Sequence, residues 1–131
     1  MKAKEYLSQA MALEGRIDAR MEQIARIKAM EERGKRLAAD SGNWQASLEQ
    51  MSALEAELQA DVRLWADQKR QIGETIESVD KPVHRQLLEY RYLCGWDWRK
   101  IAGRMHYSID RVWHIHSEAL REIRVPEPPR C

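Results

Sequence analysis

The chain has 131 residues, of which 33% are charged and 44% hydrophobic, with no Phe. That length suggests one domain, or one small domain with a helical extension. No apolar run approaches the ~20 residues of a membrane span, and the start, MKAKEYLSQA, has no signal-peptide core, so a cytosolic protein is expected. Ala, Leu, Glu, Arg, Gln and Met dominate, which favours helix nearly throughout. The formal net charge of +1 is unevenly spread. Residues 1–80 carry 12 Lys/Arg against 15 Asp/Glu, a net of −3, and residues 81–131 carry 10 against 6, a net of +4. Any polyanion contact is therefore expected at the C-terminal end.

Residues 2 to about 33 form one helical pattern. Tyr6, Ala10, Leu13, Ile17, Met21, Ile24 and Ile27 recur at spacings of three or four, which puts them on one side of a helix. Charged residues between them form a solvated face. Gly34 weakens the helix, which continues loosely towards Ala39. Asp40-Ser41-Gly42-Asn43 is a turn cluster. A second helix is predicted from about Asn43 to Val79. Trp44, Leu48, Met51, Leu58, Val62, Trp65, Ile72, Ile76 and Val79 keep a near-heptad spacing, with charge filling the seam at Glu55 and Lys69 and Leu54 beside the first.

At 1.5 Å per residue this second helix would be roughly 55 Å long. It needs the first helix folded back on it, a second copy of the chain, or both. The short turn favours an antiparallel, coiled-coil-like hairpin. A length mismatch between the helices would leave the distal part of the second uncovered. Either a homodimer or the C-terminal region is expected to cover it.

Asp80-Lys81-Pro82 breaks the pattern, and Pro82 suits the first turn of a new helix. That helix, Val83 to about Leu93, has Val83, Leu87, Leu88, Tyr90 and Leu93 as its apolar set, and Gly95 ends it as a C′ glycine would. Asp97 can cap a short helix with Trp98, Ile101, Ala102 and Met105 inward. His106-Tyr107 follows as a polar turn. Ser108 is an N-cap for a last helix with Val112, Ile115, Ala119, Leu120 and Ile123 on one face. Two caps, two short amphipathic helices and a turn of about three to four residues fit a DNA-binding helix-turn-helix. Val125 onward is Pro-rich and reads as a tail. There is no internal repeat and no credible strand. The expected fold is all-α: a hairpin over 1–79, a three-helix helix-turn-helix over 80–124 and a flexible tail over 125–131.

Cys94 lies on a helical pattern and is expected to be a buried small residue; Cys131 is terminal. Neither belongs to a metal or redox motif. His106, His114 and His116 lack a usable zinc partner set, because His114 and His116 point to different sides of a helix. No phosphate loop, H-E-x-x-H or nucleophile motif is present, so no catalytic role and no cofactor are expected.

Gly95, Trp98, Ile101-Ala102, Met105, Ser108, Val112, Ile115 and Ala119-Leu120 resemble region four of the sigma-70 family, the part that reads the promoter −35 element. AKEYLSQAMALEGRID at 3–18, LLEYRYLCGWDWRKIAGRMHYS at 87–108 and the following His116, Ala119 and Leu120 resemble small phage-encoded regulators of the ArpU/RinA type. These join an N-terminal helical hairpin to a sigma-region-four-like C-terminus. The resemblance covers nearly the whole chain. It implies a DNA-binding regulator of late phage transcription, acting in a bacterial host cell, with RNA polymerase as a further partner.

In such a motif the N-terminal half of the second helix faces base edges. The outward residues there are Ile109, Asp110, Arg111, Trp113 and His114, with Ser117, Glu118 and Arg121 further along. Arg111 can pair with guanine O6/N7, or remain a solvated Arg. His114 can donate to a base or phosphate, and Ser108 to phosphate as well as capping. Asp110 serves the helix N-terminus or accepts from cytosine N4. Arg99, Lys100 and Arg104 on the preceding helix can engage the DNA backbone. Trp113 either contacts thymine methyls or sugars, or packs against the hairpin. Trp96 and Trp98 are expected in the core. Three readings follow: a DNA-binding regulator acting as a dimer, a DNA-packaging component resembling a small terminase subunit, and a helical interaction protein whose helix-turn-helix is a packing unit.

Overall fold

The computed structural model describes residues 1–37 and 43–126. The fold is all-α, with no strand among the described residues. The helices are α1 (Ala3–Leu37), α2 (Asn43–Glu77), α3 (Pro82–Leu88) running on into a π-helical turn (Glu89–Leu93), α4 (Trp98–Met105) and α5 (Ile109–Glu122). No described helix is long and apolar enough to cross a membrane. The expected turn at Asp40-Ser41-Gly42 and the end of the Pro-rich tail lie outside the described residues.

Contacts divide the chain into two units, Ala12–Ala66 and Met1–Met11 together with Asp67–Cys131. The sequence boundary at 79/80 falls inside the second of these.

In the Ala12–Ala66 unit, α1 and α2 run antiparallel. Arg16 meets Asp61 and Arg20 meets Glu57, so partners advance along one helix as they recede along the other. Leu13, Ile17 and Ile24 are buried on α1. Leu54, Leu58 and Trp65 are half-buried on α2, and the Trp65 indole N–H donates to Glu14 at 2.9 Å.

Two expectations for the α2 stripe need correction. Val62 is 40% exposed, and Glu55 is exposed rather than in the seam. The alternating three-and-four spacing runs through Leu54, Leu58, Asp61 and Trp65 instead. A buried acid, Asp61, therefore occupies a core position. It is accommodated because two arginines one turn apart on α1 reach it, Arg16 Nη2 at 2.9 Å and Arg20 Nε at 2.6 Å. A buried carboxylate without such partners would be costly.

In the other unit, the first turns of α1 bury Tyr6, Leu7 and Ala10, the last turns of α2 bury Ile72 and Ile76, and Val79 is buried just beyond them. The Tyr6 hydroxyl lies 3.2 Å from Thr75 Oγ1. Lys69 Nζ donates to the Leu93 carbonyl, and Gly73 faces the Leu93 side chain. This overturns the expected length mismatch. Both long helices have 35 residues, and the distal α2 stripe is covered within the chain. The case for a homodimer based on that uncovered stripe falls with it.

Pro82 stands at the first position of α3, as its fixed φ favours. The π turn inserts one extra residue per turn and shifts the phase of everything after it. Before it, Val83, expected inward, is 38% exposed and His84 is buried beside Leu87 and Leu88; after it, the shift buries Tyr92. Cys94, expected buried, is exposed for the same reason. Gly95 adopts φ +71 as expected of the closing glycine. The Trp96 N–H returns to the Tyr90 carbonyl at 3.0 Å, one residue wider than the usual helix-closing loop. The resulting core joins Leu87, Ile101, Ala102, Val112 and Ile115, with Tyr90, Trp96, Trp98, Met105 and Tyr107 packed at its edge. Each fully buried aliphatic side chain contributes about 1.5–3 kcal/mol.

Candidate nucleic-acid interface

The helix-turn-helix forms from local chemistry. Asp97 has extended backbone and its carboxylate accepts from the Lys100 N–H at 2.7 Å, starting α4. Ser108 likewise accepts from the Arg111 N–H at 3.1 Å, starting α5. Each cap satisfies a helix-end donor that would otherwise have no partner. Between the helices lie three residues, His106, Tyr107 and Ser108. The chain reverses at His106, which adopts the left-handed conformation with φ 61 and ψ 39. Its N–H bonds back to the Gly103 carbonyl at 3.4 Å, and the Tyr107 N–H to that of Ala102 at 3.0 Å.

Val112, Ile115, His116 and Ala119 bury the inner side of α5, so the outer side is set by helical geometry. Ile109, Asp110, Arg111, Trp113, His114, Ser117 and Arg121 are all exposed. Ile109 is 36% and Trp113 51% exposed. His114 Nε2 lies 3.0 Å from Glu118 Oε1 on the next turn. The Ser117 hydroxyl donates to the Trp113 carbonyl at 3.1 Å. The Arg111 guanidinium stands 5.3 Å from the Tyr107 ring centre. Asp110 occupies the first turn, where its charge suits the helix dipole.

On α4, Arg99, Lys100 and Arg104 are exposed on the solvent side. Lys100 and Arg104 share a support that the sequence reading did not identify. Trp96 stacks on Tyr90 with centroids 4.4 Å apart and planes 9° from parallel. Lys100 Nζ lies 4.2 Å and the Arg104 guanidinium 5.9 Å from the Trp96 ring centre. Such cation–π contacts hold a flexible cation over a limited area. The clue was in the sequence, since Trp96 and Lys100 are four residues apart, but Tyr90 joins them only through the Gly95 reversal. Trp96 and Trp98, expected in the core, are half-buried and pack against its edge. Arg121 is placed elsewhere. It lines a crevice of about 500 Å3 with Ser78, Val79, Asp80, Glu122 and Arg124, ten residues along α5 from Arg111. That is roughly 15 Å by helical rise.

Behind the outer face lies a buried polar layer. Tyr92 Oη and His116 Nε2 are 2.7 Å apart. Trp98 meets the His116 ring edge-on at 4.7 Å. Burial, with Lys4 and Arg91 nearby, lowers the His116 pKa to about 4. The ring is thus neutral at pH 7, and the tautomer sets which of Tyr92 Oη and His116 Nε2 donates. Burial also pushes the Tyr92 hydroxyl up to about 12, with Arg91 opposing the shift. On the opposite side of α5, buried His84 faces two glutamates. Its Nε2 is 3.4 Å from Glu118 and its Nδ1 3.2 Å from Glu122, the latter without hydrogen-bond alignment. His114 and His116 face different sides, as their spacing requires, and no three metal-ligating side chains converge among the described residues. Compared with protein-family models, curated proteins and solved structures, the chain finds no match.

Proposed function

We propose that the protein binds double-stranded DNA in a sequence-specific way, with the N-terminal half of α5 in the major groove, and that it regulates transcription of late phage genes. The observation that carries this is the exposed outer face of α5, raised by a three-residue turn beside α4 with Arg99, Lys100 and Arg104 on the flank. In this arrangement α4 cations contact phosphates and α5 side chains contact base edges. The role in phage transcription rests on the resemblance alone, and so does RNA polymerase as a second partner. A net of +4 over residues 81–131 supplies little nonspecific affinity, and that little is salt-sensitive. Two copies on one site would raise affinity through effective concentration, so a homodimer belongs to this reading.

The test is a fluorescence-anisotropy titration with a duplex selected from a randomised pool at low salt. Arg111→Ala should weaken specific binding by about 1–3 kcal/mol, while Lys100→Ala should weaken all duplexes alike and reduce the salt slope by about one. If Arg111→Ala and His114→Ala bind like the parent, α5 does not read DNA. Sedimentation on the same duplex counts the copies bound. A second reading, a helical interaction protein, draws on the exposed Trp113 and Ile109. Absence of any selected duplex would favour it.

A further inference from the structure

We infer that Trp113 and Ile109 make α5 selective for thymine, by packing against C5 methyl groups in the major groove. This rests on the DNA-reading function proposed above. The inward positions Val112, Ile115 and Ala119 put Asp110, Trp113, His114 and Ser117 on the outward face, at relative positions i, i+3, i+4 and i+7. Two of those four already have partners on their own helix. Ser117 donates its hydroxyl to the Trp113 carbonyl, and His114 lies against Glu118. Trp113 has no such engagement among the described residues, and its indole is 51% exposed. Ile109 stands one turn before it, so the two form a continuous apolar strip.

The size and setting of that strip favour one occupant. A stable protein interface buries roughly 800 Å2 on each partner around an apolar centre. Here two apolar side chains are ringed by exposed Asp110, Arg111, His114 and Ser117, which is too small and too polar a patch. The flanking Arg99, Lys100 and Arg104 instead complement a phosphate backbone. The major groove offers one apolar group, the thymine C5 methyl, on A·T pairs alone. The adenine of such a pair presents its N6 amino group as a donor, with thymine O4 between it and that methyl, and Asp110 is the acceptor one turn before Trp113. An acid and an indole one turn apart thus match both features of one base pair.

The test replaces thymine by uracil in the selected duplex, which keeps Watson–Crick pairing and removes only the methyl groups. The parent should bind the uracil duplex about fourfold more weakly for each methyl read, the value of one buried carbon. Trp113→Ala should bind the thymine duplex more weakly and no longer distinguish it from the uracil duplex. Because Trp113 is exposed, its circular dichroism should match the parent's. Ile109→Ala should narrow the discrimination in part. Equal affinity of the parent for both duplexes overturns this inference and leaves DNA binding standing, as would be found if Trp113 served a protein partner. Discrimination that survives in both variants also overturns it. Failure to select any duplex overturns this inference and the proposed function together.

Discussion

Lowering the pH from 7 to 4 should loosen the anchoring of α5, because His116 is buried as a neutral ring. Its pKa falls from the ordinary 6.5 to about 4 through burial, with Lys4 and Arg91 adding repulsion to any proton it takes up. Between those values the unfolded chain carries a proton that the folded chain does not. Stability therefore rises with pH across this window: it is complete above about 6.5 and lost as the pH falls to about 4. One pKa unit is worth 1.36 kcal/mol, so a shift of this size gives on the order of 3 kcal/mol. His116 is only 7% exposed, so solvent screening takes little from this figure. The assay is urea unfolding followed by circular dichroism at several pH values, comparing the parent with His116→Gln. Gln keeps a polar group near Tyr92 but cannot titrate. Carboxylates protonate in both proteins and cancel in the difference. The parent should lose about 3 kcal/mol more than His116→Gln between pH 7 and 4. Parallel pH profiles would refute the assignment of a buried neutral ring.

Three further outcomes follow from the geometry. Asp61→Ala should destabilise the Ala12–Ala66 unit by about 1–3 kcal/mol in thermal or urea unfolding, because Arg16 and Arg20 lose their shared partner. His106→Gly should stabilise the chain by about 0.5–1 kcal/mol, since φ 61 suits glycine better than a residue with a Cβ; a loss of stability would mean that the His106 side chain holds the turn. Ser108→Ala should cost about 1 kcal/mol by removing the α5 cap, and Ser108→Asp should restore most of it.

Much of the helix-turn-helix was legible because its signals are local. Pro82, Gly95, Asp97 and Ser108 each act on backbone groups within a few residues, and each stands where its chemistry predicted. The inward positions Val112, Ile115, Ala119 and Ile123 were equally readable, since α5 is regular throughout its length. Sequence period and structure part where regularity fails. One π turn shifted the phase after Leu88, burying Tyr92 and exposing Cys94. On α2 the stripe was expected through Val62 with Glu55 in the seam, because nothing local shows that Arg16 and Arg20 of α1 reach Asp61.

The sequence by itself determined where helices begin and end and which side of α4 and α5 turns inward. These depend on backbone hydrogen bonds and side-chain periods that close within a turn or two. Only the tertiary structure decided that Asp61 is a core residue, because its partners Arg16 and Arg20 lie more than 40 residues away on α1. Only it decided that His116 is neutral, because Tyr92 and Trp98 enclose it from other elements. The exposure of Trp113 is of the same kind. Helical period places it outward, but its 51% exposure depends on how its own unit packs around α5.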